Sequence, residues 1–218
     1  LQQPTLPPRR ANPQIESAAR EQIQYGQSLA RRRAYFAARE ELIRALLSIA
    51  TSYNAESNST AHPERLAQGL IAIEESGDFT RASGTMLQQK VLSHKSHLLA
   101  PQEIATTSPI QAIRLYCDFA QSQFVQGIGS SAAGSEALHA LGKLESMVPE
   151  ADRNQIKTLT FYQAAVKIDP SNAVCMNDLG VLLYNMGRLE EAEKTLIAAL
   201  GTSQTELSWN NLALVHNQ

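Results

Sequence analysis

Apolar residues recur at helical spacing along most of this chain. From Ile15 to Tyr53 there is no proline, the one glycine is Gly26, and good helix formers dominate. In the back half of that stretch Phe36, Ile43, Leu46, Leu47 and Ala50 make a stripe that predicts a buried face. In the front half Ile15, Ala19, Ile23 and Leu29 make a weaker one, and Gly26 is the expected place for a bend or break. The expectation is one long helix, or two nearly collinear ones. Asn54–Ala61 reads as a polar loop. Pro63 then opens a helix to about Glu75, with Leu66, Leu70, Ile71 and Ile73 on its apolar side. Ser76–Gly84 is turn-rich, and Met86–Leu99 is a further helix. Ser108-Pro109-Ile110-Gln111 combines a capping serine, a proline at the first helical position and a glutamine able to reach back to the cap. It starts a helix running to about Gln126, with Ile113, Tyr116, Cys117, Ala120 and Phe124 inward. Ahead of all this, residues 1–14 hold four prolines and little to bury, which predicts an extended or disordered arm.

The back of the chain carries a longer period. In Met176–Ala199 (MNDLGVLLYNMGRLEEAEKTLIAA) a large residue, Met176, is followed by Leu179-Gly180, Leu183, a turn at Gly187, then Ala192, Leu196 and Ala199. Gly180 and Ala192 are small enough for two antiparallel helices to pack closely, Gly187 supplies the turn, and the leucines fill the seam. Downstream, Trp209, Leu212 and Ala213 repeat the opening of the pattern. Upstream, Leu138, Leu141 and Gly142 open a copy that Tyr162, Ala165 and Pro170 close, with a roughly four-residue insertion around Pro149–Gln155.

In these residues the chain resembles the tetratricopeptide-repeat family over about residues 135–218: two repeats and the first helix of a third. The resemblance implies an all-α fold of antiparallel helical hairpins in a right-handed solenoid. The divisions are then an arm at 1–14, an N-terminal helical region at 15–130 led by the long helix, and repeats at 131–218 with the last truncated. Region 15–130 shows no repeat that aligns, although 110–128 could belong to a diverged hairpin. Gln218 falls a few residues into what should be the first helix of a hairpin, and a repeat unit cannot bury its apolar face alone. A longer protein with more repeats is therefore expected.

Family members hold extended peptides or helices of a partner in the concave face lined by the first helix of each pair. Carried over by position, the groove residues are His139 and Lys143, then Val174, Asn177, Val181 and Tyr184, then Leu207, Asn210 and Leu214. One subclass grips a partner's C-terminal carboxylate with Lys, Asn and Arg at fixed positions. Here Lys143 replaces an Asn of that set, while Asp178, Leu207 and Asn211 hold other clamp positions, so that ligand is not expected.

Composition changes the picture little. Apolar residues at 43% allow a real core, and a net charge of −2 argues against a dedicated nucleic-acid binder. The front is mildly basic and the back mildly acidic, which permits contact between the halves or between copies. Cys117 and Cys175 stand in apolar helical contexts and read as buried thiols. No apolar run reaches the ~18 residues of a membrane span. A Pro/Gln-rich start at Leu1 suggests an exported or envelope-associated bacterial protein after signal removal, with the cytoplasm as the alternative.

Candidate chemistry is sparse. His94 and His97 could ligate a metal from successive helical turns, but no third or fourth ligand accompanies them, and exposed polar residues are the plainer reading. Gly127–Gly134 follows a helix and lacks the Lys-Ser/Thr of a phosphate loop, so it is a helix–helix connection. Asn58-Ser59-Thr60 matches a glycosylation sequon, a tripeptide common by chance. Arg31-Arg32-Arg33 is the sharpest charge cluster and reads as a mainly solvated helix face. No nucleophile–base pair or paired catalytic carboxylates can be assembled. The expectation is a non-catalytic scaffold for a protein or peptide partner, with no cofactor, metal or nucleic acid. The alternative is a structural subunit that self-associates through the long N-terminal helix.

Overall fold

The computed structural model describes residues 12–57, 61–81, 84–148 and 155–217, and every regular element among them is helical. Most of the Pro-rich arm, the Asn58 sequon, most of the insertion near Pro149 and Gln218 lie outside the described residues. At the start of α1 (Pro13–Arg31) the Asn12 side chain accepts from the Gln14 N–H, and Pro13 occupies the first turn. That cap satisfies one of the amides a helix start leaves open.

The expected long helix is instead a hairpin. It breaks at Arg32–Ala34, where Arg33 takes a left-handed φ of 64°, and α2 (Tyr35–Ser57) folds back along α1. Gly26 is the contact between the two helices, not the break: a Cβ there would lie 3.2 Å from both Ala38 O and Leu42 Cγ. The turn carries an arginine where glycine is usual, so nothing in the local sequence punctuates it. The buried stripe of α2 is accordingly Ala38, Leu42, Ala45, Leu46, Ile49, Ala50 and Tyr53, while Phe36 is 80% exposed and Leu47 46%. Helix α2 also runs on to Ser57, through much of the expected polar loop.

Three more pairs use the same device: α3 (Ala61–Glu75) with α6 (Pro109–Ile128), α7 (Ala132–Met147) with α8 (Gln155–Ile168), and α9 (Ala173–Asn185) with α10 (Leu189–Thr202). In each, a glycine of the first helix lies under a large side chain of the second. A Cβ on Gly69 would come within 2.7 Å of Phe124, and on Gly142 or Gly180 within 2.6 Å of Tyr162 or Leu196. The second helices flank that large residue with small ones at common steps: Ala38, Leu42 and Ala45; Ala120, Phe124 and Gly127; Ala192, Leu196 and Ala199. Helix α8 follows with Thr158, Tyr162 and Ala165. The hairpin α1–α2 is in register with α9–α10 throughout, including its left-handed turn residue, Arg33 against Gly187 at φ 74°.

An insertion joins α3 to α6: α4 (Asp78–Arg81), α5 (Gly84–Leu92) and a single 3-10 turn at Pro101–Glu103. The helix expected to reach Leu99 ends at Leu92, and His94, expected on the surface, is 3% exposed. Its ring joins the Tyr116 hydroxyl at 2.8 Å to Asp78 Oδ2 at 3.3 Å. Both partners come from distant positions, so only the tertiary fold could bury this imidazole. Burial, partly relieved by a hydrogen bond with Ser96, pushes the Tyr116 hydroxyl up to about 12.

The hairpins do not stack in chain order. Helix α7 packs against both α1 and α2, α9 packs on α8, and α11 (Glu206–His216) packs on α10 and α9. The row is therefore α1–α2, α7–α8, α9–α10, α11. The α3–α6 hairpin lies across two second helices of that row, α2 and α8. Phe124 stacks on Phe161 of α8 at 5.4 Å, and Lys157 of α8 bonds Glu74 of α3 at 2.9 Å. Arg39 of α2 also pairs with Glu74.

Candidate functional site

Moving α3–α6 out of the row brings α1 directly beside α7, and the polar contacts show that the first helices run parallel. Glu16 accepts from the Ala133 N–H at 2.8 Å, and Arg20 then pairs with Glu136 at 2.9 Å. On the other side of α7, Asn172 donates to the Ser135 hydroxyl at 2.9 Å, and His139 then bonds Asp178 at 2.8 Å. Both pairs of contacts advance along each helix in the same direction.

Between α1, α7 and the start of α9 lies a groove of about 770 Å³. Its α1 wall presents Arg20, Gln24, Gln27 and Arg31, its α7 wall His139, Lys143 and Met147, and its floor includes Ile23, Ala140 and Leu144. Most of its charge is internally compensated. Arg20 is held between Glu16 and Glu136, and Asp178 accepts from both His139 and, at 3.4 Å, Lys143. Burial alone would raise the Asp178 carboxyl, but the hydrogen bonds with His139 and Lys143 and the charge of Lys143 outweigh it and hold the carboxyl below its ordinary range. The side chains of Gln24, Gln27 and Arg31 have no partner among the described residues. A primary amide both donates and accepts, so the two glutamines can pair with an extended backbone laid along α1.

The residues expected to line a groove fall into three groups. His139, Lys143 and Val174 border this one, with Val174 64% exposed. Asn177 is 5% exposed, and its carbonyl accepts from Asn211 at 2.9 Å, tying α9 to α11. Val181 is half-buried and Tyr184 packs partly against the core. Leu207, Asn210 and Leu214 are exposed on α11. Asp178, at one of the clamp positions, bonds both His139 and Lys143.

Repeat phase over 135–218 does not extend to the α1 wall, because the α1–α2 turn carries an arginine in place of glycine. The signal was present: Gly26, Ala38, Leu42 and Ala45 follow the same steps as Gly180, Ala192, Leu196 and Ala199. Elsewhere Cys117 and Cys175 are buried free thiols, in keeping with their apolar context. No group of three or more His, Cys, Asp or Glu among the described residues could hold a metal ion, and no described helix is long and apolar enough to cross a membrane.

The tetratricopeptide repeat family model matches residues 161–194, from α8 through α9 into α10. No curated protein matches the chain. The all-α, helical-repeat architecture and the family match agree, and the match points generally to a protein-interaction scaffold.

Proposed function

We propose that this chain is a non-catalytic scaffold that holds an extended segment of a protein partner in the groove between α1, α7 and the start of α9. One observation carries the reading: the groove is flanked by the unspent side chains of Gln24, Gln27 and Arg31 beside the exposed Val174 and Met147. Unspent amides offer hydrogen bonds to a backbone, and the apolar pair offers area to its side chains. The groove residues in this proposal are His139, Lys143 and Val174, with Gln24, Gln27 and Arg31 added. Asn177, Val181, Tyr184, Leu207, Asn210 and Leu214 stand further along the same row of first helices.

A photo-crosslinking side chain at Gln27 or Val174 tests this. It should trap a protein partner that the same probe at Arg114, an exposed position on α6, does not. Equal capture from both positions, or from Arg114 alone, would overturn the groove as the binding surface.

One observation favours a second reading, self-association. Phe36 and Leu47 are exposed along one face of α2, where a second copy could cover them. The long helix first invoked for that role is replaced by the α1–α2 hairpin, and light scattering decides between the two readings.

A further inference from the structure

We infer that the tip of the α1–α2 hairpin, Arg31 to Phe36, docks on an anionic bilayer surface, with its arginines on lipid phosphates and Phe36 in the acyl boundary. The first observation is charge. Arg20, Arg39, Arg44 and Arg188 each pair with a carboxylate. Arg31, Arg32 and Arg33 are exposed, and none has a partner among the described residues. In a chain of net charge −2 they form a local basic point at the end of a hairpin.

The second observation is apolar and independent. Phe36 is 80% exposed, more than any other large apolar residue described. Its presentation is fixed. Arg33 N donates to Ala30 O at 2.9 Å, Ala34 N to Leu29 O at 3.0 Å, and the neighbouring Tyr35 packs against the core. The parallel first helices bring further apolar residues to the same edge: Met147 at the end of α7 is 40% exposed, and Leu189 at the α9–α10 turn 38%.

Unpaired guanidinium groups beside exposed Phe, Met and Leu suit a surface with phosphates outside and hydrocarbon beneath. A nucleic acid would also draw the arginines and could stack a base on Phe36, but Met147 and Leu189 offer it no further ring, whereas a bilayer uses all three. Each arginine near an anionic leaflet favours binding by roughly five-fold, so three together give about a hundred-fold preference over neutral lipid. Attachment of that order is reversible and falls with salt.

Vesicle sedimentation tests the inference on the whole chain, using phosphatidylcholine with and without phosphatidylglycerol. The chain should pellet with the anionic vesicles only, and less as salt rises. Arg32→Glu should weaken pelleting by at least about five-fold, while Arg114→Glu on α6 should leave it unchanged. Phe36→Ser should weaken it at constant salt dependence, with the helical melting curve preserved. Absence of pelleting, equal pelleting with neutral lipid, or equal losses from Arg32→Glu and Arg114→Glu would each overturn the bilayer assignment. So would release from vesicles by a stoichiometric oligonucleotide, which would assign the tip to nucleic acid. Arg31 and Met147 also border the groove, so the vesicle variants are confined to Arg32 and Phe36, which the crosslinking test at Gln27 and Val174 does not use.

Discussion

Leu196 of α10 lies over Gly180 of α9 so closely that a Cβ on the glycine would stand 2.6 Å from Leu196 Cγ. The backbone of α9 is thus in contact with a side chain that is 1% exposed. Gly26 and Leu42 stand in the same relation at the other end of the row, but with more room, at 3.2 Å.

That difference separates two substitutions of the same kind. Gly180→Ala should destabilise the fold by about 1–3 kcal/mol from overpacking, offset by up to about 1 kcal/mol of helix propensity. Gly26→Ala should be close to neutral, because a neighbour need shift only slightly. Urea denaturation of the two variants checks this, and equal losses would mean that the two seams are packed alike.

Arg33 occupies a left-handed conformation at φ 64° that costs a residue with a side chain roughly 1–2 kcal/mol. Arg33→Gly should therefore raise stability, by up to about 1 kcal/mol after glycine's entropy in the unfolded chain is counted. The same change at Arg32, whose backbone is right-handed at φ −85°, should not. Thermal melts of both variants test the turn directly.

Asp178 should make stability fall on acidification. Its carboxyl sits below the ordinary range in the folded chain, because the bonds with His139 and Lys143 and the Lys143 charge outweigh its burial. A depressed folded value contributes stability that is present above the unfolded value, about 4, and is lost as pH falls through the folded one. Asp178→Asn should thus cost about 1 kcal/mol at neutral pH and progressively less below about pH 4. A cost independent of pH would show that the carboxylate charge is not what matters.

Cys117 and Cys175 should both resist a thiol reagent such as Ellman's in the folded chain. Burial is the first cause in each case and pushes both thiols up, so little thiolate forms and access is closed. Reaction should follow unfolding as urea is added. Prompt labelling of either in native buffer would show an opening that the packing around Tyr162 and Thr160 does not suggest.

Light scattering across a concentration range should find a monomer. A dimer that Leu47→Ser or Phe36→Ser dissolves, with helicity intact, would move the α2 face to self-association. It would then compete with the bilayer for Phe36.

Much of the fold was legible because helical period and glycine spacing are local properties. The inward face of α6, from Ile113 to Phe124, and the α9–α10 hairpin both follow from residues close in sequence. The candidate site was less legible. Lys143 and Val174 could be placed from repeat phase, but Gln24, Gln27 and Arg31 required that α1–α2 be seen as a hairpin, and its turn residue is an arginine. The burial of His94 is illegible locally for a related reason, since its hydrogen-bonding partners lie on other elements of the fold.

By itself, then, the sequence determined helical structure, the capped start of α6 at Ser108 and the small-to-large seam of α9–α10, but not the break between α1 and α2 or the end of α5. The order of stacking belonged to the tertiary structure. Phe124 meets Phe161, and Glu74 meets Lys157, only when α3–α6 lies across α8, and that placement is what lets α1 reach α7. A helix's amphipathic pattern specifies which face is buried, but not which apolar face will cover it. That choice rests on complementary shape and on polar partners far apart in the chain, and it built the groove.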